Sequence, residues 1–160
     1  MKTIVLGTDG SAGAKLATRE AIELARETGW PLRIVAAWTL ASWELSAGPI
    51  MAPDFVAVAK ERAQSALDDA VRLADEAGVG TIPYLRHGEP AEQLCEVADQ
   101  LGDPLIVVGS HGRGAIGRAM LGSVSTKLVH SARCPVLVVR GAAQAETAGT
   151  PDRDAISAGA

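Results

Sequence analysis

The chain is 160 residues and 16.5 kDa, the length of one ordinary domain and enough to bury a core without disulfide or metal staples. Hydrophobic residues make up 48% and charged residues 21%, while Phe, Trp and Tyr supply only 3%, so Val, Ile, Leu and Ala must fill the interior, a balance that favours an α/β protein. A net charge of −4 and a pI near 5.3 speak against nucleic acid as a partner, and no segment reaches the apolar length of a membrane span.

The amino-terminal apolar run is too short for a signal peptide and meets Asp9 at once, so a cytoplasmic protein is expected. Cys95 and Cys134 lie far apart and outside any CxxC, which predicts two reduced thiols; His87, His111 and His130 form no zinc-ligand cluster.

Residues 2–7 read as a first strand. Residues 11–28 follow with Ala14, Ala17, Ala21, Leu24 and Ala25 in a helical stripe that Gly29 and Pro31 close. Residues 32–38 are a second strand, and residues 39–52 a loop whose Trp, Gly and Pro content suits a flap. Pro53 opens a long helix with Val56, Ala59, Ala63, Ala66, Leu67, Ala70, Ala74 and Ala77 on one face, stopped by Gly78. A third strand (81–86), a third helix (90–101), a fourth strand (104–108), a short helix (123–132) and a fifth strand (135–140) complete the domain. Residues 141–160 are small and polar without periodicity and predict a disordered tail.

Strands alternating with crossover helices imply parallel pairing and a doubly wound five-stranded parallel sheet, in which ligands bind at the carboxyl ends of strands where the winding reverses. The loops after strands one and four therefore carry the functional expectation. After strand four come Gly109, Gly112, Gly114, Gly117 and Gly122. Gly112, Gly114 and Gly117 spell GxGxxG, but the next helix starts only near Ser123 and no Asp or Glu occurs from 104 to 145, so a dinucleotide fingerprint is rejected. No P-loop sequence exists in the chain.

What remains is GxxG at Gly109 and Gly112, followed nine residues later by Gly122-Ser123. Glycine lets backbone amides approach a phosphate, and the first turn of the helix at Ser123 offers free N–H groups at the positive end of its dipole. Residues 104–145 also hold Arg113, Arg118, Lys127, Arg133 and Arg140 with no acid. One such cation about 4 Å from a phosphate contributes a gross Coulomb energy of about 4 kcal/mol at an effective dielectric of about 20. The competing reading is a surface loop with an ordinary N-cap at Ser123. In GTDGS, Asp9 contacts a ribose hydroxyl, an adenine amino group or Mg²⁺ through water, or else Asp9 or Ser11 simply caps the first helix. Trp38 stacks on a base or belongs to the core or an interface. Ser110 and His111, adjacent in sequence and without a GxSxG elbow, are not read as a catalytic pair.

These residues resemble the universal stress protein family over residues 1–140: LGTDGS after the first strand, the GEP turn after the third, the long glycine spacing, and the closing CPVLVV. The resemblance implies a Rossmann-like sheet of order 3-2-1-4-5 and, for the branch that keeps this glycine pattern, ATP binding with Mg²⁺. It places Thr8 and Asp9 by the nucleotide and the chain near Ala37 at adenine through backbone groups. Gly109, Ser110, His111, Gly112 and Arg113 then lie along ribose and phosphates, and Gly122, Ser123, Val124 and Ser125 hold the phosphates. Ala36-Ala37-Trp38 departs from a bulkier run common at that place.

The resemblance also implies a homodimer across the last strand, Pro135 to Val139, whose apolar edge invites pairing. The expected role is regulatory, with a protein partner and at most slow ATP hydrolysis; the alternative is a nucleotide-independent dimeric interaction module. Gly122→Val is expected to crowd the phosphates while leaving the fold intact.

Overall fold

The computed structural model describes residues 2–40, 52–112 and 121–141. Five strands, β1 (Thr3–Gly7), β2 (Leu32–Trp38), β3 (Thr81–His87), β4 (Pro104–Gly109) and β5 (Val136–Val139), form one parallel sheet of order β3-β2-β1-β4-β5. Among the described residues four helices join them: α1 (Ala12–Thr28), α2 (Ala52–Glu76), α3 (Pro90–Asp99) and α4 (Ser123–Ser131). The expected sheet and strand order are those observed.

Alternation along each strand divides the core into two layers. Ile4, Leu6, Ile34, Ala36 and Val107 face α1 and α2, whereas Val5, Val35, Ile106 and Val108 face α3 and α4. The helices meet the sheet largely through alanine: Ala17, Ala21 and Ala25 of α1 and Ala63, Ala70 and Ala74 of α2 are buried, so both lie close on the strands. This is how a chain so poor in aromatic residues fills its interior.

Element ends differ from expectation by one or two residues. α3 stops at Asp99 because Gln100 caps it and Ala98 O accepts from the Leu101 amide at 2.9 Å. β3 and β4 each run one residue further, to His87 and Gly109. Gly29 ends α1 in the left-handed region at φ 68°, a conformation that favours glycine. Of the expected flap, residues 41–51 lie outside the described residues and Ala52 already belongs to α2; the expected tail lies outside them from residue 142 onward.

The two sheet edges differ. The Gly88 amide donates to Trp38 O at 2.9 Å, so by ladder alternation Ile82, Tyr84 and Arg86 turn their backbone groups to β2, and Thr81, Pro83, Leu85 and His87 turn theirs outward. Pro83 thus stands where an outer donor would be. On β5, Pro135 O and Val139 O accept from Ile106 and Ser110, which leaves Val136 and Val138 facing outward with their amides.

Candidate functional site

Strand order reverses between β1 and β4, and the loops that follow them, residues 8–11 and 110–112, meet at the carboxyl edge of the sheet. In the first loop, Thr8 Oγ1 accepts from the Gly10 amide at 3.3 Å and Asp9 Oδ1 from the Ser11 amide at 2.9 Å, with Gly10 at φ 76°. Ser11 Oγ caps α1 by accepting from the Ala14 amide at 3.2 Å, and donates across the crevice to His111 O at 3.4 Å. Ser11 is therefore the cap of α1. The second oxygen of Asp9 is turned to the other loop: a side chain on Gly112 would begin 2.8 Å from Asp9 Oδ2.

The three glycines of the long motif have three different neighbours. A Cβ on Gly109 would lie 2.5 Å from the carbonyl carbon of Gly13 and 2.6 Å from its oxygen, so Gly109 lets α1 start directly against β4. Gly13 needs the same freedom, its Cβ position being 2.4 Å from His111 O. Sequence reasoning missed Gly13; the signal was a glycine in the first turn of a helix, where it costs helix stability without a packing reason. Gly122, whose amide donates to Ser110 O at 2.7 Å, brings α4 against the 110–112 loop, with its Cβ position 3.3 Å from Ser110 O and 3.6 Å from the Gly112 amide nitrogen. Valine at 122 would therefore come tight against the loop backbone as well as narrowing the crevice.

Gly122 is the N-cap of α4 and makes no side-chain capping bond. The amides of Ser123, Val124 and Ser125 precede the first intrahelical donor, Thr126, whose amide reaches Gly122 O at 2.9 Å, so they have no helical acceptor and lie at the positive end of the helix. Ser123 is exposed. Ser125 is only 2% exposed and its hydroxyl donates to Ser110 O at 3.2 Å and Gly122 O at 3.0 Å, so that oxygen holds the loop together.

Ser110 Oγ and His111 Nδ1 are 2.9 Å apart, a contact the sequence did not suggest, and His111 Nε2 is buried with no hydrogen-bond partner. Ala37 lies half-buried near the end of β2. The Val35–Gly7 pair is the last register with β1, so the alternation turns the N–H and C=O of Ala37 toward the crevice past the end of β1. Trp38 instead packs against the α1–α2 core layer and beside His87, ring centroids 4.3 Å apart, which matches its reading as a core residue.

The structure brings together Thr8, Asp9, Gly109, Ser110, His111, Gly112 and Gly122, with Ser123, Val124 and Ser125 behind Gly122. Arg113 and Arg118 lie outside the described residues. The basic segment does not act as a block: Lys127 Nζ is 3.1 Å from Glu89 Oε1, while Glu89 Oε2 caps α3 by accepting from the Ala91 amide at 3.0 Å, and Arg133 lies at the other end of β5 from the crevice. Among the described residues, no three His, Cys, Asp or Glu side chains converge as a metal site, and no helix is long and apolar enough to cross a membrane.

The model of the universal stress protein family matches residues 1–140. The chain belongs to the universal stress protein family. A universal stress protein of Methanocaldococcus jannaschii is 32% identical over 150 residues, covering 87% of this chain and 82% of its relative. A Mycobacterium tuberculosis universal stress protein is 36% identical over 141 residues, but those are 86% of this chain and 45% of that one, so the chain spans about half of that relative's length. Among solved structures, a universal stress protein in complex with cAMP is 28% identical with a TM-score of 0.64, covering 86% of this chain and 96% of its own.

Proposed function

We propose that this universal stress protein binds an adenine nucleotide, ATP with Mg²⁺, in the crevice between the 8–11 and 110–112 loops, and that occupancy is read by a regulatory protein partner in the cytoplasm. The observation that carries this reading is the uncapped start of α4, with three amides lacking helical acceptors, held by Gly122 beside Gly112 and the Asp9 carboxylate. The donor set fits a polyphosphate: the amides of Ser123, Val124 and Ser125 and the Ser123 hydroxyl would hold it. Asp9 would accept from ribose, and the Ala37 backbone would meet adenine. The family member in complex with cAMP supports an adenine nucleotide as the ligand class. Hydrolysis is at most slow in this reading, the nucleotide acting as a regulatory ligand.

Isothermal titration of protein stripped of copurifying nucleotide tests the proposal, with Mg·ATP, Mg·ADP, AMP and cAMP in turn. One site per chain with ATP bound more tightly than AMP is expected; absence of heat with all four overturns it.

We further propose a homodimer paired through β5, supported by the outward Val136 and Val138 amides and by Leu137, 37% exposed on the same strand. A monomer mass by light scattering at micromolar concentration refutes it. The second reading, a nucleotide-independent dimeric module, is favoured by one observation: Gly109 and Gly122 both have packing reasons that need no ligand. The same titration separates the two.

A further inference from the structure

The α3 side of the sheet is covered unevenly. α3 packs over β1, β2 and β4, whereas the helix that packs broadly on β3 is α2, on the opposite face. Register fixes what the α3 side of the β2–β3 margin displays. Arg33 is paired with Ile82, Val35 with Tyr84 and Ala37 with Arg86, and Val35 and Tyr84 belong to the α3 core layer, so Arg33, Ile82, Tyr84 and Arg86 share that face. Ile82 is 48% exposed.

The cluster consists of donors. Arg33 Nη1 donates to the Tyr84 hydroxyl, whose own hydrogen stays available. The guanidinium carbons of Arg33 and Arg86 lie 5.7 Å and 5.3 Å from the centroid of the Tyr84 ring. Among the described residues, Arg33 Nε is buried without an acceptor. Among the described residues the ion pairs are Arg72 with Asp69 and Glu76 and Lys127 with Glu89, so neither Arg33 nor Arg86 has a carboxylate partner. In a chain of net charge −4, two cations gathered on one phenol ring form a local field opposite to that of the whole molecule.

We propose that this face docks an acidic segment of a partner protein, whose carboxylates engage Arg33 and Arg86 while an apolar side chain rests on Ile82 and Tyr84. A donor-only cluster requires an acceptor-rich, anionic occupant, and arginine and tyrosine beside an exposed aliphatic residue are the composition of interface hot spots. Pro83, facing outward, removes a ladder donor from the edge, so recognition runs through side chains instead of strand addition. The surface rests on residues outside the nucleotide crevice and does not depend on the nucleotide reading above, so either can fail while the other stands.

The test is fluorescence anisotropy of the full chain with a fluorescein-labelled octapeptide of six glutamates, one phenylalanine and one leucine, with a single-stranded DNA 12-mer as a second probe. Saturable peptide binding is expected, weakened at least tenfold in Arg33→Gln/Arg86→Gln and by added salt, and unchanged by saturating Mg·ATP. Arg86→Glu alone, which leaves the Arg33–Tyr84 bond in place, keeps the test valid if the double variant fails to fold, and at least tenfold weakening is expected there too. Equal affinity in the folded variants overturns the proposal, as does displacement of the peptide by Mg·ATP. Tighter binding of the DNA, lost in the same variants, overturns it in favour of a nucleic-acid surface.

Discussion

Gly109→Ala and Gly112→Ala, two methyl groups three residues apart, should fail in different ways. At 109 the methyl would sit 2.5 Å from the Gly13 carbonyl carbon, 2.6 Å from its oxygen and 2.9 Å from the Ala14 amide nitrogen. All three are backbone atoms of the first turn of α1, so an ordinary contact near 3.5 Å requires moving the helix start by about 1 Å. Overpacking of this kind costs about 1–3 kcal/mol, and the absence of a flexible side chain to yield places it in the upper part of that range. For a domain of this size that lowers Tm by about 4–10 °C. At 112 the methyl would meet Asp9 Oδ2 at 2.8 Å and Asp9 Cγ at 3.8 Å, the end of a side chain that can rotate away. Stability should then change by less than about 1 kcal/mol, while displacement of the carboxylate from the crevice weakens Mg·ATP binding about tenfold, or about 1.4 kcal/mol. Thermal and urea unfolding of both variants, paired with titration calorimetry, reads the two effects separately. Wild-type stability in Gly109→Ala, or equal destabilisation by both, would refute this division of labour between the glycines.

Ser11→Ala removes the cap of α1 and its link to His111 O, and should cost about 1 kcal/mol in urea unfolding; a change under a few tenths would show that the link carries no load. Glu89→Gln keeps an oxygen to cap α3 but loses the charge facing the exposed Lys127 from a half-buried position, so the loss should stay below about 1 kcal/mol and shrink in about 1 M NaCl. Burial pushes the Cys95 and Cys134 thiols above the ordinary thiol range. Iodoacetamide at pH 7.5 should therefore alkylate the native chain more slowly than the urea-unfolded chain. The protonated thiols contribute stability that is full below the unfolded thiol pKa and is lost as pH rises through the raised native value, because the unfolded state then binds fewer protons. Urea midpoints that rise from pH 8 to pH 10, with a steeper rise in wild type than in Cys95→Ser, would contradict that sign.

The strand and helix order was legible because each burial layer repeats at its own period: Ile4 and Leu6 against Val5 in a strand, Ala14, Ala17, Ala21 and Ala25 along a helix. The crevice was legible from the two loops that follow β1 and β4. What spacing alone does not encode is the direction a glycine faces. Gly109, Gly112 and Gly122 look equivalent in the motif, yet their neighbours are Gly13, Asp9 and Ser110, the first two brought in from the start of the chain by the pairing of β1 with β4. Counting charge along the segment misled for the same reason, since Lys127 is already engaged by a glutamate from the β3–α3 turn. The Arg33–Tyr84–Arg86 cluster went unnoticed because its members sit on two strands; a period-two reading of TIPYLRH, with Ile82, Tyr84 and Arg86 on one face, was the available signal.

Pro83 sets the valence of the sheet. A parallel sheet with two open margins is a bifunctional monomer: each copy joined leaves another margin exposed, and growth has no natural end. Here Pro83 interrupts the outward donors of the β3 margin between Thr81 and Leu85, whereas both outward residues of β5, Val136 and Val138, keep their amides. A monofunctional unit of this kind stops after one coupling. In the homodimer proposed above, pairing through β5 would then stop at a closed pair, and the residue that blunts the other edge lies across the whole sheet from the surface that would join the copies.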